Sequence, residues 1–175
     1  MRVDDGTEPA GVELTARCAT PGDTRALGAA LVKACRPGDT LLLVGGLGAG
    51  KTTFAQGFAA GLGVAGPVIS PTFTLMRQYP CHGPAGITEL LHADVYRLDY
   101  LREVEDLGLP ELVERAAVAL VEWGDAAAPA LGDDPLTVEL ARGDGEERVI
   151  TLRGGSGWAV RRQALAKAVT AVPAA

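Results

Sequence analysis

Eight consecutive residues of this chain have the types and the spacing to hold phosphate. Gly45-Gly46-Leu47-Gly48-Ala49-Gly50-Lys51-Thr52 fits the pattern G-x-x-x-x-G-K-[ST], in which a glycine-rich loop lays its backbone N–H groups around phosphate oxygens. Glycines permit the positive φ and the close backbone approach that a Cβ would obstruct. Lys51 then reaches the outer phosphates, and the hydroxyl of Thr52 sits on a magnesium ion. The pattern reads as a nucleotide site, with Leu47, Gly48, Ala49, Gly50, Lys51, Thr52 and Thr53 as its candidate contacts.

Binding alone is not hydrolysis, which also needs a metal partner and a group that orients water. Two acids directly follow apolar extended segments: Asp94 after Leu90-Leu91-His92-Ala93, and Glu122 after Val118–Val121. Ligands of an open parallel sheet collect at the carboxyl ends of its strands. Lys51, Asp94 and Glu122 are therefore the candidate catalytic residues, and Thr52 and Glu122 the candidate metal residues. Ser70, Thr72 and Thr74 offer hydroxyls on a segment that could order around the γ-phosphate, or form an ordinary proline-containing turn. Trp123 has the bulk of a core residue and the position to cover the site, and Tyr96 and Arg97 share that ambiguity.

The elements around these residues follow from periodicity. Thr40-Leu41-Leu42-Leu43-Val44 is the continuous apolar run of a strand buried on both faces. Phe54, Phe58 and Leu62 recur every fourth residue, giving a helix with one buried face whose N-terminus points at the loop. Upstream, Val12 to Arg17 alternates like a strand. Thr20-Pro21-Gly22-Asp23 has the N-cap, the N1 proline and the capping-box acid of a helix start, and Leu27, Leu31 and Ala34 supply that helix's buried face. Thr72 to Tyr79 and Ile87 to Ala93 are extended segments joined by a Pro80–Gly86 loop. Leu101 to Leu107 and Pro110 to Arg115 are short acidic helices, and Ala117 to Val121 is a second buried strand. Leu136 to Ala141 and Glu147 to Arg153 form an antiparallel pair around Gly143-Asp144-Gly145. Trp158 to Val172 carries helical spacing at Val160, Leu165 and Val169. Residues 1–11 read as a disordered N-terminus and 12–175 as one α/β domain.

Bulk properties restrict the function class. The 175 residues carry 16 basic and 22 acidic side chains, a net charge of −6. That argues against a broad phosphate-binding surface for nucleic acid, so no direct nucleic-acid binding by the chain alone is expected. Residues 99–147 hold fourteen acids and three arginines, while 153–175 hold four basic residues and no acid. This asymmetry suits a protein partner. Cys18, Cys35 and Cys81 show no metal-ligand or disulfide spacing, and Cys18 and Cys35 read as small buried apolar groups. Met1 to Pro9 is neither signal peptide nor membrane span, so a cytoplasmic protein away from membranes is expected.

Four blocks together carry a family resemblance: Gly46-Leu47-Gly48-Ala49-Gly50-Lys51-Thr52-Thr53-Phe54, Ser70-Pro71-Thr72-Phe73-Thr74-Leu75, His92-Ala93-Asp94-Val95-Tyr96-Arg97-Leu98 and Val121-Glu122-Trp123. In this order they resemble the TsaE family, small bacterial ATPases of the threonylcarbamoyladenosine tRNA-modification pathway. The resemblance runs from about Thr20 to Arg153 and departs at Gly46, where Asp is usual, and at Ala93, where a bulkier residue is usual. It implies a P-loop NTPase fold, with a central parallel sheet extended by antiparallel strands and flanked by helices. It further implies ATP and Mg²⁺ as cofactors, with Thr52 and Glu122 at the metal and Ser70–Thr74 as a switch segment. Asp94 matches an acid needed for activity. The implied partners are TsaD, the threonylcarbamoyl transferase, and its companion TsaB, which the ATPase resets between turnovers. For base and ribose the candidates, because they flank the loop, are Pro21 and, in the hairpin, Arg142 and Asp144, while Trp123 is a further candidate nucleotide contact. Two other readings of the same loop are a small-molecule kinase and a non-catalytic nucleotide switch.

Overall fold

The computed structural model describes residues 10–71, 76–95, 111, 117–123 and 132–172. Its described strands form one seven-stranded sheet: β1 (Val12–Cys18), β2 (Thr40–Val44), β3 (Met76–Pro80), β4 (Glu89–Asp94), β5 (Ala117–Glu122), β6 (Leu136–Arg142) and β7 (Arg148–Gly154). Their spatial order is β1-β7-β6-β2-β5-β4-β3. The centre, β6-β2-β5-β4, is parallel, and antiparallel pairs extend it at both ends.

Burial follows that division. Every residue of β5 is buried, as are the first four of β2 and the last five of β4, because a parallel strand is covered on both faces and takes apolar side chains throughout. In β1 and β6 buried and more exposed positions alternate, as in a sheet with only one face on the core.

Two helices fix the ground beneath the site. α1 (Pro21–Leu31) starts at Thr20, whose Oγ1 accepts from Asp23 N at 3.2 Å while Asp23 Oδ2 accepts from Thr20 N at 2.9 Å. This is the reciprocal capping the sequence announces. α2 (Lys51–Gly61) buries Phe54, Phe58 and the following Leu62. The two helices pack at a distance that glycine alone allows. A Cβ on Gly57 would lie 2.1 Å from the carbonyl oxygen of Arg25, and one on Gly28 would lie 2.6 Å from that of Phe54.

The C-terminal region departs from the expected single helix over 158–172. It is divided into α3 (Ser156–Ala159) and α4 (Arg162–Thr170), and Val160, expected on the buried face, is 72% exposed. Side chains around the break explain it. Arg161 bonds both carboxylate oxygens of Asp39 (2.6 and 3.1 Å) and the carbonyl of Ala34 (3.0 Å), and stacks 3.7 Å from the Trp158 ring centroid. Asp134 caps α3, accepting from Gly155 N at 2.7 Å and Gly157 N at 2.8 Å. Trp158 is thereby the buried anchor in place of Val160, and Leu165 keeps its expected place in the core. The acidic segments expected over 101–107 and 110–115 lie outside the described residues except for the exposed Glu111.

Candidate nucleotide-binding site

The loop leaves β2 and enters α2 through Gly50, which caps the helix at φ 104°. That left-handed conformation strains any residue with a Cβ. No side chain caps α2, so its first-turn N–H groups and the positive end of its dipole face whatever lies before it. Phe54 N donates to Gly50 O at 2.9 Å and starts the helical ladder. Beneath the loop Ala49 is buried, while Leu47 at its tip is 90% exposed.

Lys51 is the first residue of α2 and only 7% exposed. Its Nζ donates to the carbonyls of Gly45 (2.7 Å) and Gly46 (3.0 Å) and lies 4.0 Å from the centroid of the Trp123 ring. Burial pulls its ammonium below the ordinary lysine range, and the carboxylates of Glu122 and Asp94 act against that. Trp123 reaches it by an unusual route. It sits at φ 60°, a left-handed conformation that costs a bulky residue on the order of 1–3 kcal/mol, and its N–H donates to Leu43 O at 3.0 Å. The turn brings the indole back over the start of α2. Leu47, Gly48, Lys51, Thr52, Trp123 and Arg148 line the resulting cleft of about 260 Å³. A larger groove of about 390 Å³ runs between α1 and α4, but the residues lining it include no acid, hydroxyl or thiol.

The two acids meet as strand-end positions should. Asp94 and Glu122 are register partners on the parallel pair β4–β5, and both are buried (5% and 3% exposed). Val95 N donates to Glu122 O at 3.2 Å, tying the two strand ends together. Glu122 Oε1 lies 2.9 Å from Nε2 of the fully buried His92. Carboxylate oxygens are donors that suit a hard divalent cation, and Thr52, on the first turn of α2, lines the cleft beside Lys51.

The last hairpin closes the other side of the loop. Arg148 donates through Nε to Ala49 O (3.0 Å) and through Nη2 to Gly48 O (3.3 Å), while its Nη1 bonds the carbonyls of Glu146 and Glu147. Arg142 Nη2 donates to Leu47 O at 3.4 Å. Pro21 and Thr53 border a small cavity of about 30 Å³ together with Gly50, Glu146 and Arg148. Asp144 is exposed in the hairpin turn, where its carbonyl accepts from Glu147 N at 3.0 Å. Thr72, Thr74, Tyr96 and Arg97 lie outside the described residues.

The site's geometry can be set beside known proteins. The family model of threonylcarbamoyl adenosine biosynthesis protein TsaE matches residues 18–150. This chain belongs to the TsaE family. The tRNA threonylcarbamoyladenosine biosynthesis protein TsaE of Bacillus subtilis is 42% identical over 139 residues, covering 79% of this chain and 84% of the relative. The TsaE protein of Streptomyces coelicolor is 43% identical over 141 residues, covering 77% and 93%. The crystal structure of YdiB from Bacillus subtilis superposes with a TM-score of 0.74 at 34% identity, covering 91% of this chain and 97% of that one. The fold is that of a P-loop NTPase, and the family places the chain in tRNA threonylcarbamoyladenosine biosynthesis.

The loop, the start of α2 and Trp123 after β5 converge on one cleft, and the end of β4 lies abreast of the end of β5. Two residues of that convergence escaped the sequence reading. His92 lies two residues before Asp94 on one strand, and period two, which puts both on the same sheet face, is the signal that could have found it. Arg148 is the register partner of Arg142. Two like charges opposite each other repel unless a common acceptor offsets them, and the carbonyls of the loop are that acceptor.

Proposed function

We propose that this chain is a Mg²⁺-dependent ATPase that sustains threonylcarbamoyl transfer to tRNA by acting on the transferase TsaD and its companion TsaB in the cytoplasm. One observation supports this reading most: Lys51, buried at the uncapped start of α2, is held between the loop carbonyls and the Trp123 ring, with the Glu122–Asp94 pair acting on its charge. A cation and the start of a helix without a side-chain cap converge there on space fit for an anion.

In this reading the N–H groups from Leu47 to Thr53 take the phosphates and Lys51 turns to the outer ones. Thr52 and Glu122 would hold Mg²⁺, which would supply positive charge against the phosphates. Asp94, across from Glu122, accepts hydrogen bonds from water at the strand ends. Thr72 and Thr74 belong to a switch segment. The base and ribose lie on the side of Pro21, Arg142 and Asp144, and Trp123 covers the phosphate end.

Charge on the transferring phosphoryl group needs more than Lys51. Arg142 and Arg148 are engaged with backbone carbonyls, so a second cation is expected in trans from a partner. The isolated chain is accordingly a slow ATPase. A steady-state assay with TsaD, TsaB and tRNA added singly and together is expected to show stimulation by the protein pair and little by tRNA. Full activity of the lone chain, or equal stimulation by bare tRNA, would refute the partner reading. Substrate-dependent ADP release with a small hydroxyl compound would favour a kinase.

A further inference from the structure

The site contains one buried ionisable side chain to which the mechanism above gives no role. His92 is fully buried in β4, and Nε2 meets Glu122 Oε1 at 2.9 Å, also in the interior. Its other ring nitrogen, Nδ1, is buried and has no hydrogen-bond partner among the described residues. A buried polar atom left unpaired costs free energy, and an apolar residue of similar size would avoid that cost in a strand whose neighbours are Leu90, Leu91 and Ala93. Packing alone therefore does not account for a histidine at this position. The imidazole's one observed polar contact is with Glu122.

We infer that His92 is a positioning residue, which holds the Glu122 carboxylate in the orientation that receives the magnesium ion. This inference rests on the reading of Glu122 as a cation residue. A carboxylate only accepts hydrogen bonds, so Nε2 is the donor to Oε1. With Oε1 committed to His92, Oε2 is the oxygen left for the cation or its water. The strand register makes this arrangement stiff. His92 and Asp94 are two residues apart on β4, Glu122 is the register partner of Asp94, and the imidazole therefore reaches Glu122 along the diagonal of the ladder. A glutamate has three side-chain torsions to fix, and the bond to a ring immobilised in the core fixes the last of them. Partners of this outer kind typically change metal affinity by about 10–100-fold when removed.

The test is calorimetric titration of a non-hydrolysable ATP analogue into the full chain at a series of Mg²⁺ concentrations. The proteins compared are the native chain, His92→Leu, His92→Gln and Glu122→Gln, each checked by thermal unfolding. His92→Leu is expected to raise the Mg²⁺ concentration for half-maximal enhancement by about 10–100-fold while leaving Mg²⁺-free nucleotide affinity unchanged. His92→Gln, whose amide nitrogen can replace Nε2 as donor, is expected to stay near the native value. Should His92→Leu fail to fold, His92→Asn, whose shorter amide falls away from Oε1, takes its place. A native Mg²⁺ dependence in His92→Leu or His92→Asn, with Glu122→Gln shifted, would reduce His92 to a packing residue. A native dependence in Glu122→Gln would remove Glu122 from the cation site and overturn the inference together with its premise.

Discussion

Two helices of this molecule begin within reach of one small cavity, which both Pro21 and Gly50 line, and they begin in opposite ways. α1 closes its own N-terminus with a threonine and an aspartate that satisfy each other's backbone donors. α2 begins at a glycine with no side chain to offer, and its first residue is a lysine. A positive helix end normally recruits an acid. At α1 the sequence supplies one, Asp23, and the end is neutralised internally. At α2 it supplies a further positive charge, which is unfavourable for an isolated helix. The carboxylates of Glu122 and Asp94 act on that charge from the far side, and an anionic ligand would complete its neutralisation. A helix start that serves stability carries its own acceptor, whereas one that serves binding leaves the acceptor's place to the ligand.

Substitutions at the two starts should therefore separate cleanly. The largest effect is expected at the open one. Lys51→Ala should weaken ATP binding by about 1.5–3 kcal/mol, the worth of a hydrogen bond to a charged group, or roughly ten- to hundredfold in Kd. Calorimetry finding native affinity in a folded Lys51→Ala protein would break the comparison outright. Arg148→Ala comes next. It removes the bonds to the carbonyls of Gly48 and Ala49 from a partly exposed guanidinium, so about 1 kcal/mol of loop organisation and roughly a fivefold rise in Kd are expected. An unchanged Kd would mean that the loop holds its shape without the hairpin. The smallest effect on ligand is expected at the closed start. Thr20→Ala should lower the free energy of unfolding by about 1 kcal/mol and leave nucleotide affinity at the native value. A matching loss of affinity in denaturant-controlled titrations would show that the two helix starts are not independent.

The parts of the site made of backbone were legible in the sequence because backbone conformation is a local property. The glycine spacing announces the loop, the run of Leu41, Leu42 and Leu43 announces a doubly covered strand, and Thr20-Pro21-Gly22-Asp23 announces a cap, all within a few residues. The carboxyl ends of β4 and β5 were legible too, since an acid terminating an apolar run marks its own strand end. What sequence could not supply was register. That Asp94 faces Glu122, that His92 reaches Glu122 and that Arg148 joins Arg142 on the loop are facts about which residues of different strands lie abreast. The break between α3 and α4 was hidden for a related reason. The apolar spacing of Val160, Leu165 and Val169 is genuine, but Asp39 and Asp134, distant in sequence, draw Arg161 and the start of α3 into positions that local periodicity does not contain.

The contact between α1 and α2 sets the mechanical ground of the site. With bare Cα atoms at Gly28 and Gly57 seated against carbonyls of the opposite helix, neither cylinder can roll or slip on the other without driving backbone into backbone. α1 and α2 are in effect one rigid block that carries Lys51, Thr52 and Thr53 on its rim. In the proposed function, phosphate bound at that rim would push on both helices together, because neither can give way against the other.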